Sequence, residues 1–383
     1  LHAQGIGGAR DPAEALRWYE RGADGGNGWA MVKLADAYRK GDLLPADPVR
    51  AAELYRRAVA AGIAPAATAL GDLYAQGMGV ARDGATALRW YEQGAAGGDG
   101  WALVRMAEAY RKGEIVPADP AKAAELYRRA AADGLAPAAT GLGDLYAQGL
   151  GVGKDPAEAL RWYERAAAAG DGWALIRLAE VHRKGEIVRA DPVKAVELYR
   201  QAAAAGIAAA GTALGALYER GSGIERDLPQ AAGWYLAAAR EGEAEARVAL
   251  AGLYLQGRGV ERNVGEAHRW FVAAADQGDP WAKYKLAELL VKGQGIPAAP
   301  ARAVELYRSA AAAGVTHALR ALGDLYLEGR GVARDPQEAI RLFEQAAAAG
   351  DAWGYFSLAE VYARGGALME AVEQAKSLPA DVA

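Results

Sequence analysis

The chain has 383 residues, of which 52% are hydrophobic, so it is long enough to bury a large core or to form one extended array. Its 44 basic and 48 acidic residues give a net charge of −4, and no run of Lys or Arg suits a phosphate backbone, which disfavours nucleic acid as a partner. The absence of cysteine excludes disulfides, thiolate metal sites and cysteine nucleophiles, and no apolar run reaches the ~18 residues of a transmembrane segment.

A tyrosine recurs along the chain at a spacing of 36 residues or twice that number. The series is Tyr38, Tyr74, Tyr110, Tyr146, Tyr218, Tyr254, Tyr326 and Tyr362, with His182 and Leu290 at the two positions that it skips. A fixed period of roughly 20 to 50 residues is typical of solenoids, whose units bury their apolar faces on their neighbours. The chain begins at Leu1 in the middle of such a unit.

The first half of each unit carries apolar residues at helical spacing, as in Ala66, Leu70 and Tyr74. A glycine three residues after the tyrosine predicts the end of this first helix, since glycine adopts the left-handed conformation of a C-cap without strain. The glycines of this series are Gly5, Gly41, Gly77, Gly113, Gly149, Gly185, Gly221, Gly257, Gly293, Gly329 and Gly365.

The second half of each unit predicts a second, antiparallel helix. An aspartate six residues after the glycine, often followed by proline as in Asp119-Pro120, is typical of a helix N-cap; Asn263 keeps this cap and Ala299 loses it. An alanine follows at every 36th position from Ala15 to Ala339, where only a small side chain would let two helices approach closely. A further series of glycines, from Gly26 to Gly350, closes the second helices.

One full unit carries enough of these positions to suggest a family. They are Leu142-Gly143-Asp144-Leu145-Tyr146, Gly149-Leu150-Gly151-Val152, Asp155-Pro156, Ala159, Trp162-Tyr163, Ala166-Ala167 and Gly170. The pattern resembles the Sel-one-like repeat family, which is related to tetratricopeptide repeats, and it extends over residues 1–366. The resemblance implies an all-α fold, a right-handed superhelical α-solenoid of about ten 36-residue helix-turn-helix repeats.

The same resemblance implies an adaptor or scaffold for protein complexes, often in bacterial envelopes, signalling or host interaction. Heavy use of Ala, Gly and Arg also suggests a bacterial source. Localisation stays open, with the periplasm or cell envelope preferred over the cytoplasm. After Gly365 the repeat pattern breaks, so we expect residues 367–383 to form a capping helix or a truncated further repeat.

Two types of unit alternate. The first type has a second glycine and a valine in its connection, as in Gly77-Met78-Gly79-Val80, and this motif becomes Glu114-Ile115-Val116 in the second-type unit of Tyr110. The sequence unit is therefore 72 residues. The units at Tyr218 and Tyr254 are both of the first type, and we expect a change of surface there instead of a domain boundary.

Units of the second type carry a tryptophan nine residues before the tyrosine position. In tetratricopeptide-like first helices, positions 2, 5, 9, 12 and 13 line the concave face, which places these tryptophans and their charged neighbours in a predicted binding groove. The candidate partner-binding residues are Trp29, Asp36, Arg39, Trp101, Glu108, Arg111, Lys112, Trp173, Glu180, Arg183, Lys184, Trp281, Tyr284, Trp353 and Phe356. Tryptophan and arginine are enriched at binding hot spots.

Structural alternatives stand beside each of these assignments. The tryptophans could pack against the preceding unit instead of facing a partner. The Glu and Arg or Lys residues could be solvated helix pairs, worth only ~0.2–0.5 kcal/mol each. A second set occupies positions where sister units have leucine, and we predict that it belongs to the core: Trp18, Trp90, Trp162, Trp234 and Trp270.

No residue pattern of an enzyme is present in the sequence. The four serines, Ser222, Ser309, Ser357 and Ser377, lie in no motif of a serine hydrolase. His2 and His182 fill the aromatic core position, and His268 and His317 are isolated, so neither a metal site nor another cofactor is expected. Gly149-Leu150-Gly151 follows no strand and precedes no Lys-Ser/Thr, which identifies a helix connection and not a phosphate loop.

We therefore expect a non-enzymatic scaffold that binds a peptide or helix segment of a partner protein along the concave groove. A glycan-binding or exopolysaccharide-assembly scaffold of the envelope is the alternative, since tryptophans with flanking charges also suit sugar rings. A purely structural spacer is the third possibility.

Overall fold

The computed structural model describes residues 11–364 as a series of α-helices joined by short connections. Contacts divide the chain into two compact units, Leu1–Ala202 and Ala203–Ala383. The helices of the first unit are α1 (Pro12–Asp24), α2 (Gly28–Lys40), α3 (Pro48–Ala60), α4 (Ala64–Gln76), α5 (Gly84–Ala96), α6 (Gly100–Lys112), α7 (Pro120–Ala132), α8 (Ala136–Gln148), α9 (Pro156–Ala168), α10 (Gly172–Lys184) and most of α11 (Pro192–Ala204).

The second unit continues the same alternation of helices over residues 203–364. Its helices are α12 (Ala208–Arg220), α13 (Leu228–Arg240), α14 (Ala244–Gln256), α15 (Val264–Asp276), α16 (Pro280–Lys292), α17 (Pro300–Ala312), α18 (Thr316–Glu328), α19 (Pro336–Ala348) and α20 (Ala352–Arg364). Even-numbered helices are the first helices of the predicted repeats and odd-numbered helices are the second. Residues 367–383, and the prediction made for them, lie outside the described residues.

The helix boundaries follow the predicted caps. Asp83 accepts a hydrogen bond from the Thr86 N–H at 3.1 Å, and Asn263 does the same for Glu266 at 3.0 Å, whereas Ala299 makes no side-chain cap. Gly77 has φ +73° and ends α4 with its N–H on the Leu73 carbonyl. These local bonds satisfy backbone groups that a helix end would otherwise leave unpaired.

The helices pack through small residues. The alanine that recurs every 36 residues, as at Ala87 and Ala159, is fully buried, which confirms its predicted role. Each first helix packs against the second helix that follows it, and some successive first helices also touch, as α4 touches α6 and α8 touches α10 in the first unit. In the second unit α12 touches α14, and α18 touches α20. First helices therefore form one side of each array.

Most members of the tyrosine series are half-buried, although Tyr218 is buried. Tyr38 is half-buried, and its hydroxyl accepts a hydrogen bond from Arg50 at 3.1 Å; the Tyr110 hydroxyl accepts one from Lys122 at 2.8 Å. His182 is also half-buried, so the prediction that it occupies a core position is wrong. The position lies at the end of a first helix, where the ring packs inward and the polar tip reaches the next helix. His2 lies outside the described residues.

The second glycine of the first-type connection has a packing role. Gly151 has φ +69°, and a Cβ placed on it would lie 2.1 Å from the carbonyl carbon of Pro120, the first residue of α7. Gly79 stands in the same relation to Pro48 at 2.2 Å. The connection of a first-type unit thus rests directly on the start of the preceding second helix, which accounts for the glycine.

Candidate functional site

Five tryptophans at position 2 of their first helices are exposed. Their exposed fractions are 54% for Trp29, 50% for Trp101, 53% for Trp173, 41% for Trp281 and 61% for Trp353. These values exclude a fully buried core position for the indoles. We use the name first-helix face for one surface of each compact unit. It is formed by positions 2, 5, 9, 12 and 13 of the even-numbered helices.

Each of these tryptophans follows a helix cap that the sequence interpretation missed. Asp99 Oδ1 accepts a hydrogen bond from the Trp101 N–H at 3.2 Å, and Asp171 does the same for Trp173 at 3.1 Å. The Thr68 hydroxyl of the preceding first helix donates to the other oxygen of Asp99. An Asp or Asn two residues before every one of the five tryptophans was the available signal. The cap fixes the first turn, so the indole leaves the helix at a defined place.

The acidic residues at position 9 are half-buried and have partners within their own repeat. The Tyr55 hydroxyl donates to Asp36 at 2.5 Å, the Tyr127 hydroxyl donates to Glu108, and the Tyr199 hydroxyl donates to Glu180. Each tyrosine comes from the following second helix. These carboxylates therefore join the two helices of one repeat, a role that the sequence interpretation did not include.

The arginines at position 12 pair with the same carboxylates. Arg111 donates to Glu108 at 2.8 Å, and Lys112 lies 3.9 Å from it. Burial acts to raise the pKa of Glu108, but the hydrogen bonds from Arg111 and Tyr127 and the nearby positive charges hold it below its ordinary value. The carboxylate is thus charged and already neutralised within the repeat.

The other second-type repeats of the first compact unit show the same arrangement. Arg183 donates to Glu180 at 2.6 Å, and Arg39 lies 3.7 Å from Asp36. Lys184 is exposed. The alternative of i,i+3 helix pairs describes these side chains correctly, and the first-helix face owes its exposed apolar area to the tryptophans.

The side chain at position 5 of the first helices differs between the two compact units of the chain. In the first unit Val104 is buried beside Trp101. In the second unit Tyr284 is buried, with its ring centroid 5.1 Å from that of Trp281, and Phe356 is 55% exposed, 5.5 Å from Trp353. Burial raises the pKa of Tyr284 to about 12, so its hydroxyl stays protonated. Tyr284 thus supports the Trp281 ring and offers little surface of its own.

Two arginines join successive first helices, and the sequence interpretation missed them. Arg177 binds Asp144 with two nitrogens, at 2.8 Å and 3.0 Å, and Arg105 lies 3.2 Å from Asp72. Each arginine stands four residues after a position-2 tryptophan. Lys33 and Lys285 occupy the same place, so a basic residue with a 72-residue spacing was the signal.

The second set of tryptophans lies at the edge of the core, with one exception. Trp18 is 52% exposed, which contradicts the prediction. The others are half-buried, and Trp90, Trp162 and Trp270 pack against the core clusters. The corresponding leucine Leu126 is buried. An indole is larger than the leucine that fits this place, so part of its ring extends beyond the helix pair. Arg21 lies 5.0 Å from the Trp18 ring and covers one side of it.

The whole repeat pattern matches a family model. The Sel1 repeat model matches ten consecutive segments, residues 1–27, 30–63, 64–99, 102–135, 136–171, 174–207, 208–243, 243–279, 282–315 and 316–351. The chain belongs to the Sel1 repeat family. This membership confirms the predicted resemblance and the all-α solenoid class.

Two solved structures are similar to this Sel1 repeat protein over most of its length. A Sel1 repeat protein from Oxalobacter formigenes is 30% identical with a TM-score of 0.56, and the match covers 81% of this chain and 89% of that one. The protein c5321, a protective antigen of uropathogenic Escherichia coli strains with an SLR fold, is 28% identical with a TM-score of 0.50, covering 98% of this chain and 88% of that one. None of the curated proteins matches the chain.

Sel1 repeat proteins generally mediate protein–protein interactions and, as a family, are non-catalytic scaffolds. Within residues 11–364 of this Sel1 repeat protein, no helix is long and apolar enough to cross a membrane. The same residues contain no group of three His, Cys, Asp or Glu side chains placed to hold a metal ion.

Proposed function

We propose that this protein is a non-enzymatic scaffold that binds a segment of a partner protein on its first-helix face. The observation that carries the proposal is the exposure of the position-2 tryptophans, which are held at matched places by capped helix starts. An exposed indole on a rigid helix presents a large apolar area at a small cost in conformational entropy. A row of such indoles on alternate repeats suits an extended or helical segment.

The charged residues of the face favour a protein over a glycan. Sugar hydroxyls are recognised through hydrogen bonds with polar side chains, yet Asp36, Glu108 and Glu180 already accept from a tyrosine and have an arginine beside them. The apolar indoles remain as the main available contacts. A glycan-binding scaffold stays the alternative because a flat indole also stacks on a sugar ring.

The test compares the partner captured by four proteins from an extract of the native host. They are the wild type, Trp101→Ala, Trp173→Ala and the control Val193→Ala, which changes an exposed residue of a second helix. We expect each tryptophan variant to stay folded and to weaken the affinity for the captured partner by roughly 1–4 kcal/mol. The control should bind like the wild type.

Capture that is equal in all four proteins would remove the tryptophans from the site. Pretreatment of the extract separates the two partner classes. A protease should abolish capture if a protein segment is bound, whereas loss on periodate treatment alone would favour the glycan alternative.

A further inference from the structure

The first-helix face of the second unit contains a cavity of about 600 Å³ between α18, α19 and α20. Its lining includes the carboxylate of Asp324, the rings of Phe343, Trp353 and Phe356, and the hydroxyl-bearing Ser357. The corresponding positions of the first unit carry a tyrosine and an arginine that α19 and α20 lack.

One missing group is a hydroxyl. In the first unit Tyr91 donates to Asp72 and Tyr163 donates to Asp144, each at 2.8 Å. The residue at this place in α19 is Phe343, which has no donor for Asp324. The carboxylate keeps Arg320, whose Nη1 lies 3.6 Å away.

The second missing group is a guanidinium. Asp72 pairs with Arg105 and Asp144 with Arg177, in both cases from the first helix of the next repeat. The residue at that place in α20 is Ser357, whose short side chain lines the cavity. A buried or half-buried carboxylate gains most from a planar guanidinium that donates two hydrogen bonds, as Arg177 does.

Helix α16 also has a basic residue at the position that Ser357 occupies in α20. Lys285 of α16 stands where Ser357 stands in α20, and its Nζ lies 5.1 Å from the Trp281 ring and 5.0 Å from the Tyr284 ring. The equivalent rings in α20 are Trp353 and Phe356, which are present and exposed. At this position α20 lacks the cation that α6, α10 and α16 supply, and the arginines that line the cavity, Arg320 and Arg334, come from α18 and from the connection after it.

We propose that this cavity accepts the guanidinium of an arginine side chain from the partner segment. The incoming group would pair with Asp324 as Arg177 pairs with Asp144, and would lie against Trp353 and Phe356 as Lys285 lies against its two rings. The inference rests on the proposed function, which it deepens by naming the chemistry of one partner residue.

The probe is the blocked tripeptide acetyl-Gly-Arg-Gly-amide, compared with the same peptide containing citrulline, which has the shape of arginine without its charge. Binding is followed by ¹⁹F NMR on protein labelled with 5-fluorotryptophan, in which the Trp353 signal is assigned with Trp353→Phe. We expect the arginine peptide to shift the Trp353 signal with a Kd on the order of 1 mM, at least about tenfold tighter than the citrulline peptide.

Three variants of the full chain test the assignment. Ser357→Ala keeps the cavity and should bind like the wild type, whereas Ser357→Arg supplies the guanidinium from the chain itself and should abolish binding. Asp324→Asn should weaken binding at least about fivefold, and it decides the question if Ser357→Arg fails to fold. Equal binding of the two peptides, or undiminished binding to Ser357→Arg, would overturn the proposal.

The capture experiment keeps the two proposals apart. If the arginine peptide does not bind while Trp101→Ala and Trp173→Ala still lose the partner, only the arginine site is wrong. If the peptide binds as expected and the tryptophan variants capture as well as the wild type, the proposed function is wrong for the first unit.

Discussion

Trp101 and Leu103 lie two residues apart on α6, yet one is 50% exposed and the other 6%. The difference follows from the helix, because residues two apart face different sides of it. Leu103 points into the stack of helices and Trp101 points away from it. A large apolar residue in a repeat is therefore assigned to core or surface by its position in the helix and not by its type.

Replacement of these two residues should have opposite consequences for stability. Trp101→Ala should lower the free energy of unfolding by less than about 1 kcal/mol, since it removes a largely exposed side chain. Leu103→Ala should lower it by about 2–5 kcal/mol, since it leaves a cavity. Urea denaturation of both variants measures the difference, and an equally large loss for Trp101→Ala would show that the indole is packed in solution.

Asp324 should make stability depend on pH. Burial raises its pKa from 3.8 to about 6, an effect that Arg320 opposes and Glu328 strengthens. Between these two values the folded chain holds the proton and the unfolded chain does not, so the contribution of this group to stability increases as the pH falls from 7 to about 5. The wild type should therefore gain stability relative to Asp324→Asn over this range. Parallel urea midpoints for the two proteins would contradict the raised pKa.

Pairs of helices are held by one tyrosine–carboxylate hydrogen bond in addition to their packing. The bond appears as Tyr55–Asp36, Tyr91–Asp72 and Tyr163–Asp144 in the first unit. It joins residues 19 apart, from the first helix to the second. The second unit replaces its tyrosine with Phe271 and Phe343 in two repeats, so neither of those rings can donate such a bond.

Single substitutions can remove the tyrosine–carboxylate hydrogen bond from the first compact unit and add one to the second. Tyr127→Phe should lower the free energy of unfolding by about 1–2 kcal/mol, because Glu108 loses a charge-assisted donor. Phe343→Tyr should raise it, because the new hydroxyl can donate to Asp324. Chemical denaturation of the two variants checks both signs, and destabilisation by both changes would mean that ring packing and not the hydroxyl dominates.

The connections between helices allow a matched comparison of two glycines. Gly151→Ala should lower the free energy of unfolding by about 2–4 kcal/mol, since its φ is +69° and its Cβ would meet Pro120. Gly153→Ala should change it by less than about 0.5 kcal/mol, since a Cβ there meets nothing within 4 Å. The thermal midpoints of the two variants give the comparison, and equal midpoints would contradict the close approach.

Helices and caps could be predicted from the sequence because they depend on residues close together in the chain. Gly77 and Asp83 mark boundaries through bonds within a few residues of themselves. The bond from Thr68 to Asp99 could not be found this way, because it joins residues 31 apart on two helices whose contact must first be known. Trp18 was misjudged for a related reason, since a sister leucine shows the position but not the room available there.

The whole molecule consists of two compact units, in which the alternation of repeat types has a physical basis. A first-type first helix supplies Thr140 and Asp144, and the second-type helix after it supplies Asp171 and Arg177 as their partners. The interruption of this alternation has a visible effect. Thr212 belongs to the first of two consecutive first-type units, and its buried hydroxyl has no hydrogen-bond partner.

Deletion of whole repeats should show that stability depends on this alternation of first-type and second-type repeats. Removal of residues 84–155 joins Asp83 to Pro156, so that Thr68 and Asp72 meet Asp171 and Arg177, and the urea midpoint should stay close to that of the parent. Removal of residues 84–119 leaves both residues without these partners and should destabilise that junction by about 1–3 kcal/mol, although this protein is longer. Equal midpoints for the two deletions would contradict the pairing.

Such a chain can gain or lose only certain numbers of residues without leaving polar groups unpaired at the new junction. The reason is the pair of bonds between Thr140 and Asp171 and between Asp144 and Arg177. A duplication or loss of 72 residues brings each donor back to an acceptor of its own kind, whereas one of 36 residues creates a junction with a buried hydroxyl that bonds to nothing, as Thr212 shows. Variation in length by pairs of repeats therefore avoids a penalty at the new junction. A partner-binding row would gain or lose one tryptophan with each such step.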